Sequence, residues 1–543
     1  MSKGFYKLPV LENEPVKAYA PGSPERAELK AELEKLNGSI ADIPMIINGK
    51  EVRTNNLKNI CPPHDHKHVI GKYHQGSAAD VQAAIDAAMA AKPEWEKMSA
   101  ESRAAIFLKA AELLAGPYRQ YLNAATMLGQ SKNAFQAEID TCELIDFYRF
   151  NVKNMYKLYD VQPNSTSSGV WNRNEWRPLE GFVFALTPFN FSSIAGNLCG
   201  APALMGNVCV WKPSKTAVYA AYVIMKALKD AGLPDGVINL VYCSGPVAGE
   251  VIFNSEHFAG FHFTGSTAVF KGAWKSMANN IDKYKAYPRI VGETGGKDYI
   301  FADPTACPKQ VATAITRGAF EFQGQKCSAA SRAYIPSNIW DKVKEYVEKD
   351  VAEIKTGDVM DFTNFVNAVI DEEAFDRLAK AIDDARSSSD ADVVIGGKYD
   401  KSVGYFIYPT VIQAYKPDYP AMTKELFGPV ITVYVYDPDK VDETMDILDK
   451  SSEYGLTGAI FSNDRYAIEK MTARLTHSAG NFYINDKPTG AVVDQQPFGG
   501  GRASGTNDKA GSILNLIRWV SPQCIKETFI PATSYTYPNF KED

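Results

Sequence analysis

The run FEFQGQKCSAASR, Phe320 to Arg332, sets Cys327 among glycine, glutamine and small side chains, directly after Lys326. A thiolate is a nucleophile where a thiol is not, and a neighbouring cation with little bulk around the sulfur is the setting a reactive cysteine needs. A cysteine alone more often just packs, so its polar company matters. Asn190 in ALTPFNF offers a side-chain amide that could steady an oxyanion, and Glu293 in GETGGK offers a carboxylate that could move a proton. The nearest histidines, His257 and His262, sit on the other half of the chain, away from where a papain-like pair would need them. The eight cysteines (61, 142, 199, 209, 243, 307, 327 and 524) form no CxxC pair and no regular framework. That fits unpaired thiols in a reducing compartment and gives no reason to expect a zinc cluster. His64, His66 and His68 alternate and would share one face of a strand; with no further ligands they read as a solvated strand end, and no metal is expected.

A chain of 543 residues exceeds what one core usually serves, so two or three units are expected. With 45% hydrophobic and 22% charged residues the composition is that of a globular protein. A net charge of -6 without any Lys/Arg-rich block argues against nucleic acid as a partner. No apolar run reaches the roughly 18 residues of a membrane span. The start MSKGFYKLPVLENEPVK has neither signal-peptide nor presequence character, which points to the cytoplasm, or to the mitochondrial matrix for a processed form. SPERAELKAELEKLNG predicts a surface helix capped by Ser23, with Pro24 first and Gly38 last. From residue 181 short apolar runs (181–186, 207–211, 236–241, 258–263 and 289–293) alternate with helical stretches, a βαβ series whose commonest use is dinucleotide binding. A second α/β series follows from Thr294, with a helix leading into Cys327 and a strand after it. The tail after Trp519 has strand character and is expected to lie across another subunit.

Five further stretches stand in register with GQKCSA: ALTPFNF, VWKPS, GETGGK, KELFGPV and QPFGGGRASG. Together they resemble the aldehyde dehydrogenase superfamily from about residue 40 to the end. The resemblance implies an α/β architecture with a doubly wound, Rossmann-type NAD-binding domain, an α/β catalytic domain and a small β oligomerisation flap. The expected organisation is an extension over 1–40, the NAD-binding domain over 41–292 with 160–180 joining the flap, the catalytic domain over 293–505 and a C-terminal arm over 506–543. It also implies roles: Cys327 as nucleophile, Asn190 with the Cys327 backbone N–H as oxyanion donors, and Glu293 as general base. For the cofactor, NAD, it implies Lys212 and Ser214, the run Thr264, Gly265 and Ser266 at a helix start, and Glu425 and Phe427 near the nicotinamide. Two departures stand out: Phe270 replaces the last glycine of the family's GSTxxG, and Lys215 follows KPS where many NAD-preferring members carry glutamate, a lysine that could tolerate a 2′-phosphate.

Beyond that core, FQGQKCSAASR, INDKPTGAVVDQQPFGGGRASGTNDKAG and IRWVSPQCIKET resemble the branch of the superfamily that oxidises L-glutamate γ-semialdehyde to glutamate, the step after proline dehydrogenase in proline breakdown. This likeness covers nearly the whole chain. It implies a carboxylate anchor of Ser328, Gly490 and Ala491 with Lys326 supplying positive charge, Glu143 facing an ammonium, and Phe191 and Phe498 flanking the aliphatic middle. It also implies a homo-oligomer, a dimer or larger. The competing readings are a dehydrogenase of another semialdehyde, a CoA-acylating member, disfavoured by the presence of Glu293, and a silent member with a structural role.

Overall fold

Five of the apolar runs are strands, Phe182–Leu186, Val208–Lys212, Ile238–Leu240, Phe258–Thr264 and Arg289–Glu293. In the computed structural model, which describes residues 6–543, they lie parallel within one seven-stranded sheet. Helices Ala78–Lys97 and Ser192–Leu204 pack against it, and strands buried by helices read as continuous apolar runs rather than alternating ones. Met45–Ile47 and Lys50–Val52 add two antiparallel strands at the far edge. The order across the sheet runs Arg289–Glu293, Phe258–Thr264, Phe182–Leu186, Val208–Lys212, Ile238–Leu240. The chain thus winds outward from Phe182–Leu186 and then returns to its other side. At such a reversal, the carboxyl ends of the strands frame a crevice where open α/β sheets hold ligands. Thr187, Lys212, Thr264 and Glu293 stand at those ends.

A second seven-stranded sheet contains six parallel strands, Tyr299–Ala302, Arg332–Pro336, Thr410–Ala414, Val430–Tyr436, Thr457–Phe461 and Asn481–Ile484, with Ala391–Ile395 antiparallel at one edge. Alternate residues of one strand enter different cores. Tyr299 and Phe301 pack with Leu378 and Met445, whereas Ile300 and Ala302 pack with Ile315 and Val343. That is the period-2 geometry of a strand covered on both faces. The two sheets meet with the strand ends of the first facing the strand starts of the second: Glu293 bridges to Gly505, and Thr294 donates to the Ser504 carbonyl.

The helix Pro24–Asn37 starts as expected, the Ser23 hydroxyl accepting from the Arg26 N–H, but its Leu29, Leu33 and Leu36 are buried, so it is docked rather than merely on the surface. Residues 1–5, the first part of the leader reading, lie outside the described residues. The tail strand Val520–Thr528 pairs antiparallel with Val170–Pro178 of its own chain, and most of this two-stranded ribbon is exposed or half-buried. The three alternating histidines are not on a strand at all. They occupy turns and point apart: His64 is buried with Nδ1 on the Ser131 hydroxyl, His66 meets the Lys401 carbonyl and His68 the Asn37 carbonyl. Among the described residues no group of three or more His, Cys, Asp or Glu side chains is placed to hold a metal, and no helix is long and apolar enough to cross a membrane.

Phe270, the first departure, has a physical counterpart. Its buried ring stacks on Phe263 at 5.5 Å and fills space beside Gly292, where an added Cβ would stand only 2.2 Å from it. Gly292 on the neighbouring strand leaves the room that this ring fills. Phe270→Ala is expected to lower stability by about 3–5 kcal/mol, as large-to-small changes at buried phenylalanines do, read from urea denaturation.

Candidate active site

Cys327 follows the helix Pro308–Phe320 through an unusual turn. Phe322, Gln323 and Gly324 have φ of 50°, 54° and 63°, three left-handed residues in a row. A non-glycine residue there costs about 1–2 kcal/mol, so the turn must be held from outside. The Gln323 amide donates to the carbonyls of Ser131 (2.8 Å) and Ala368 (2.9 Å), and the Gln325 side-chain oxygen accepts from the Ile370 N–H at 2.9 Å. Gly324 lies so close to Gly428 that a Cβ would meet its carbonyl oxygen at 2.3 Å. Three distant segments therefore fix the sulfur's position. A Cβ on Gly296 would likewise stand 2.4 Å from the Cys327 carbonyl, and neither Gly295 nor Gly296 has a positive φ. The glycine pair thus serves close approach.

The thiol opens into a cavity of about 350 Å³ that Glu293 also lines. Burial and then the carboxylate of Glu293 push the Cys327 thiol well above its usual range. Lys326, adjacent in sequence, does not counter this. Its ammonium turns to the Glu321 carboxylate at 3.2 Å, which in turn accepts from the Arg317 Nε at 2.9 Å. Glu293, at the end of its strand, has its carboxyl pushed up to about 8 by burial, with Lys509 opposing and Asp508 reinforcing the shift. Asn190 is buried, and its amide donates to the Gln325 carbonyl at 3.1 Å. An amide has two N–H groups, and this bond fixes its plane beside the backbone that leads into Cys327.

Away from the thiol the cavity is lined by Lys326, Ser328, Gly490, Ala491, Phe191, Phe498 and Glu143, so the structure gathers every residue that the sequence assigned to the substrate. The Ser328 hydroxyl pairs with that of Thr489 at 2.8 Å, and Gly490 takes φ of 99°, a left-handed conformation that turns the loop. Burial raises the Glu143 carboxyl to about 8, and it accepts the Ser193 hydroxyl at 3.1 Å. Sequence reading missed Thr489, Arg317 and Glu321. The only available signal for the last two was their i,i+4 spacing at a helix end. His262 also lines this cavity, but it is no base: its Nδ1–H donates to the Leu198 carbonyl and burial drives its pKa down to about 3.

Lys212, Ser214, Gly265, Ser266, Glu425 and Phe427 do not line this cavity: the first four lie at or just after strand ends of the first sheet, and Glu425 and Phe427 lie in the loop before Val430–Tyr436 of the second; Thr264 ends a strand and lines the cavity too. Lys212 is buried, yet among the described residues its ammonium finds only the Pro213 carbonyl, at 3.4 Å. A buried cation so poorly paired suits an incoming hydroxyl acceptor. Ser266 caps the helix Thr267–Asn279, accepting from the Val269 N–H at 3.4 Å, and the free N–H groups of that first turn favour phosphate oxygens. Glu425 accepts from the Gly296 N–H at 2.9 Å, and Phe427, at φ of 55°, sets its ring edge-on to Phe189 at 5.8 Å. Lys297 is buried behind them, its ammonium pushed down to about 7 and 3.4 Å from the Ser331 carbonyl.

The family model described as the aldehyde dehydrogenase family matches residues 50–520. The chain belongs to the aldehyde dehydrogenase family. Within it, the chain is 50% identical to a Dictyostelium discoideum protein named delta-1-pyrroline-5-carboxylate dehydrogenase, mitochondrial, over 98% of this chain and 96% of that one. It is 46% identical to the Homo sapiens protein of the same name, over 97% and 93%. A crystal structure of the delta-pyrroline-5-carboxylate dehydrogenase from Mycobacterium tuberculosis bound with NAD superposes with a TM-score of 0.96 at 48% identity, covering 100% of both chains. The aldehyde dehydrogenase architecture expected from the motifs is thus the one found.

Proposed function

We propose that this aldehyde dehydrogenase oxidises L-glutamate γ-semialdehyde, the ring-opened form of 1-pyrroline-5-carboxylate, to L-glutamate with NAD. One observation carries the reading: a single cavity joins Cys327 and Glu293 to a polar end built of Ser328, Thr489, Gly490 and Ala491. A chain with an aldehyde at one end and an α-carboxylate at the other matches that polarity. The near full-length likeness to proteins of that name supports it.

Cys327 Sγ adds to the aldehyde carbon as the thiolate, its proton having passed to solvent. Asn190 and the Cys327 N–H steady the oxygen as it gains charge. NAD, when bound, supplies the acceptor for the hydride that leaves the tetrahedral carbon. Glu293 then deprotonates the water that releases glutamate from the sulfur. Lys212, Ser214, the Thr264–Ser266 turn, Glu425 and Phe427 are the residues that would hold the cofactor.

Steady-state NADH formation from pyrroline-5-carboxylate, compared with succinate semialdehyde and simple aliphatic aldehydes, tests the assignment. A preference for another semialdehyde would replace it with the runner-up reading. Ser328→Ala is expected to raise KM for the carboxylated substrate about tenfold, the equivalent of one hydrogen bond to a charged group, while leaving simple aldehydes unaffected. The exposed ribbon of Val170–Pro178 and Val520–Thr528 supports the reading of an oligomerisation flap, and light scattering of the chain lacking residues 520–543 tests it. Oxidation of a cyclic secondary amine would supply this substrate, and the likeness to a proline utilization A structure supports a link to a proline dehydrogenase, in the cytoplasm or mitochondrial matrix.

A further inference from the structure

Lys132 carries no role in the chemistry above, yet it is fully buried and touches both halves of the site. Its ammonium lies 2.7 Å from Asp140 Oδ2, 4.2 Å above the ring of Phe191 and 4.6 Å above that of Phe322. Those two rings meet edge to face at 6.1 Å. Phe191 follows Asn190 directly and walls the substrate cavity; Phe322 begins the left-handed turn that ends at Cys327.

Asp140 completes the arrangement. The helix Ser192–Leu204 has Phe191 at its cap position, which offers no side-chain acceptor. Its first N–H groups need one, and Asp140, from the neighbouring helix Ala134–Tyr159, supplies it by accepting from Ser192 N–H at 2.9 Å and Ser193 N–H at 2.8 Å. A carboxylate buried as a remote cap is favoured by a cation held against it. Lys132 is that cation, and it also lies over the two faces that ammonium groups favour. The preceding residue, Ser131, accepts the Gln323 amide through its carbonyl, so one dipeptide grips both the oxyanion-donor segment and the nucleophile turn.

We propose that Lys132 is a positioning residue that sets the Asn190 amide against the Cys327 sulfur through Asp140 on one side and the Phe191 and Phe322 rings on the other. It acts on turnover rather than on substrate capture. The role rests on Cys327 and Asn190 being the reacting pair but not on which aldehyde is used.

The test compares Lys132→Met, Asp140→Asn and Lys132→Arg with the wild type, using both pyrroline-5-carboxylate and propanal. Thermal denaturation and NAD binding by quenching of intrinsic fluorescence establish that each variant is folded. For Lys132→Met the expected result is a fall in kcat of about 10²-fold, the lower range for loss of an oxyanion donor, by the same factor with both aldehydes. KM should stay within about threefold. Asp140→Asn, nearly isosteric, should reproduce the loss if Lys132→Met does not fold, and Lys132→Arg should recover part of kcat. Unchanged kcat in a folded Lys132→Met or Asp140→Asn, or a loss confined to KM, overturns the proposal. Failure of the wild type on pyrroline-5-carboxylate with turnover of propanal would instead overturn the substrate assignment and leave the propanal comparison to decide the role of Lys132.

Discussion

Cys327→Ala is expected to abolish NADH formation from every aldehyde, a loss on the order of 10⁴-fold or more, the scale on which removing a nucleophile acts. No other residue can stand in. Cys142 touches the same cavity, but its thiol is buried and turned to the Glu138 carboxylate at 3.7 Å and the Pro15 carbonyl at 3.8 Å; Cys199 and Cys209 are buried in the first sheet and its helix, and Cys524 lies on the exposed ribbon. NAD binding should survive, because the crevice at Lys212, Ser266 and Glu425 is built from other strand ends and loops. A variant that keeps measurable turnover while binding NAD normally would remove the thiol from the mechanism. Cys327→Ser is a sharper form of the same test: a hydroxyl keeps the shape but is a far weaker nucleophile near neutral pH.

Glu293→Gln separates the two halves of the reaction. A general base contributes about 10²- to 10⁴-fold, and here that contribution falls mainly on water attack at the acylated sulfur. The first equivalent of NADH should therefore appear quickly and later turnover slowly, in a stopped-flow trace. The wild type should also show a pH dependence of a definite sign. With the carboxyl pushed up to about 8, Glu293 is protonated at lower pH and unable to accept a proton, so the deacylation rate should climb as pH rises through that value and then level. Glu293→Gln should lose this dependence. Loss of the initial burst would move Glu293 ahead of hydride departure.

Much of the architecture was legible because buried parallel strands announce themselves. FVFAL and FAGFHFT are apolar at nearly every position, and their βα spacing leaves few topologies open. Motif order gave the proposed reacting trio, and the residues it assigned to the substrate line one cavity with Cys327 and Glu293. What escaped was set by distance in sequence or by partners that no local pattern reveals. The histidines at 64, 66 and 68 alternate as a strand would, yet turns carry them because each ring is claimed by a different remote group. Lys326 reads as the cation for the thiol, but Glu321, on the far side of the left-handed turn, takes it first. The tail strand's partner lies some 350 residues away by the separations of its side-chain contacts, so only the folded chain could show the pairing. Lys132 escaped the sequence reading altogether, because nothing local marks it as wholly enclosed.

The left-handed turn before Cys327 has a consequence for the life of the chain before it is complete. Its conformation leans on Ser131, Ile370 and Gly428, so a growing polypeptide cannot seat that sulfur until about a hundred further residues have followed it. Until then the nucleophile is an unremarkable cysteine on a half-built protein, and the reactive geometry comes into being only when the second sheet closes.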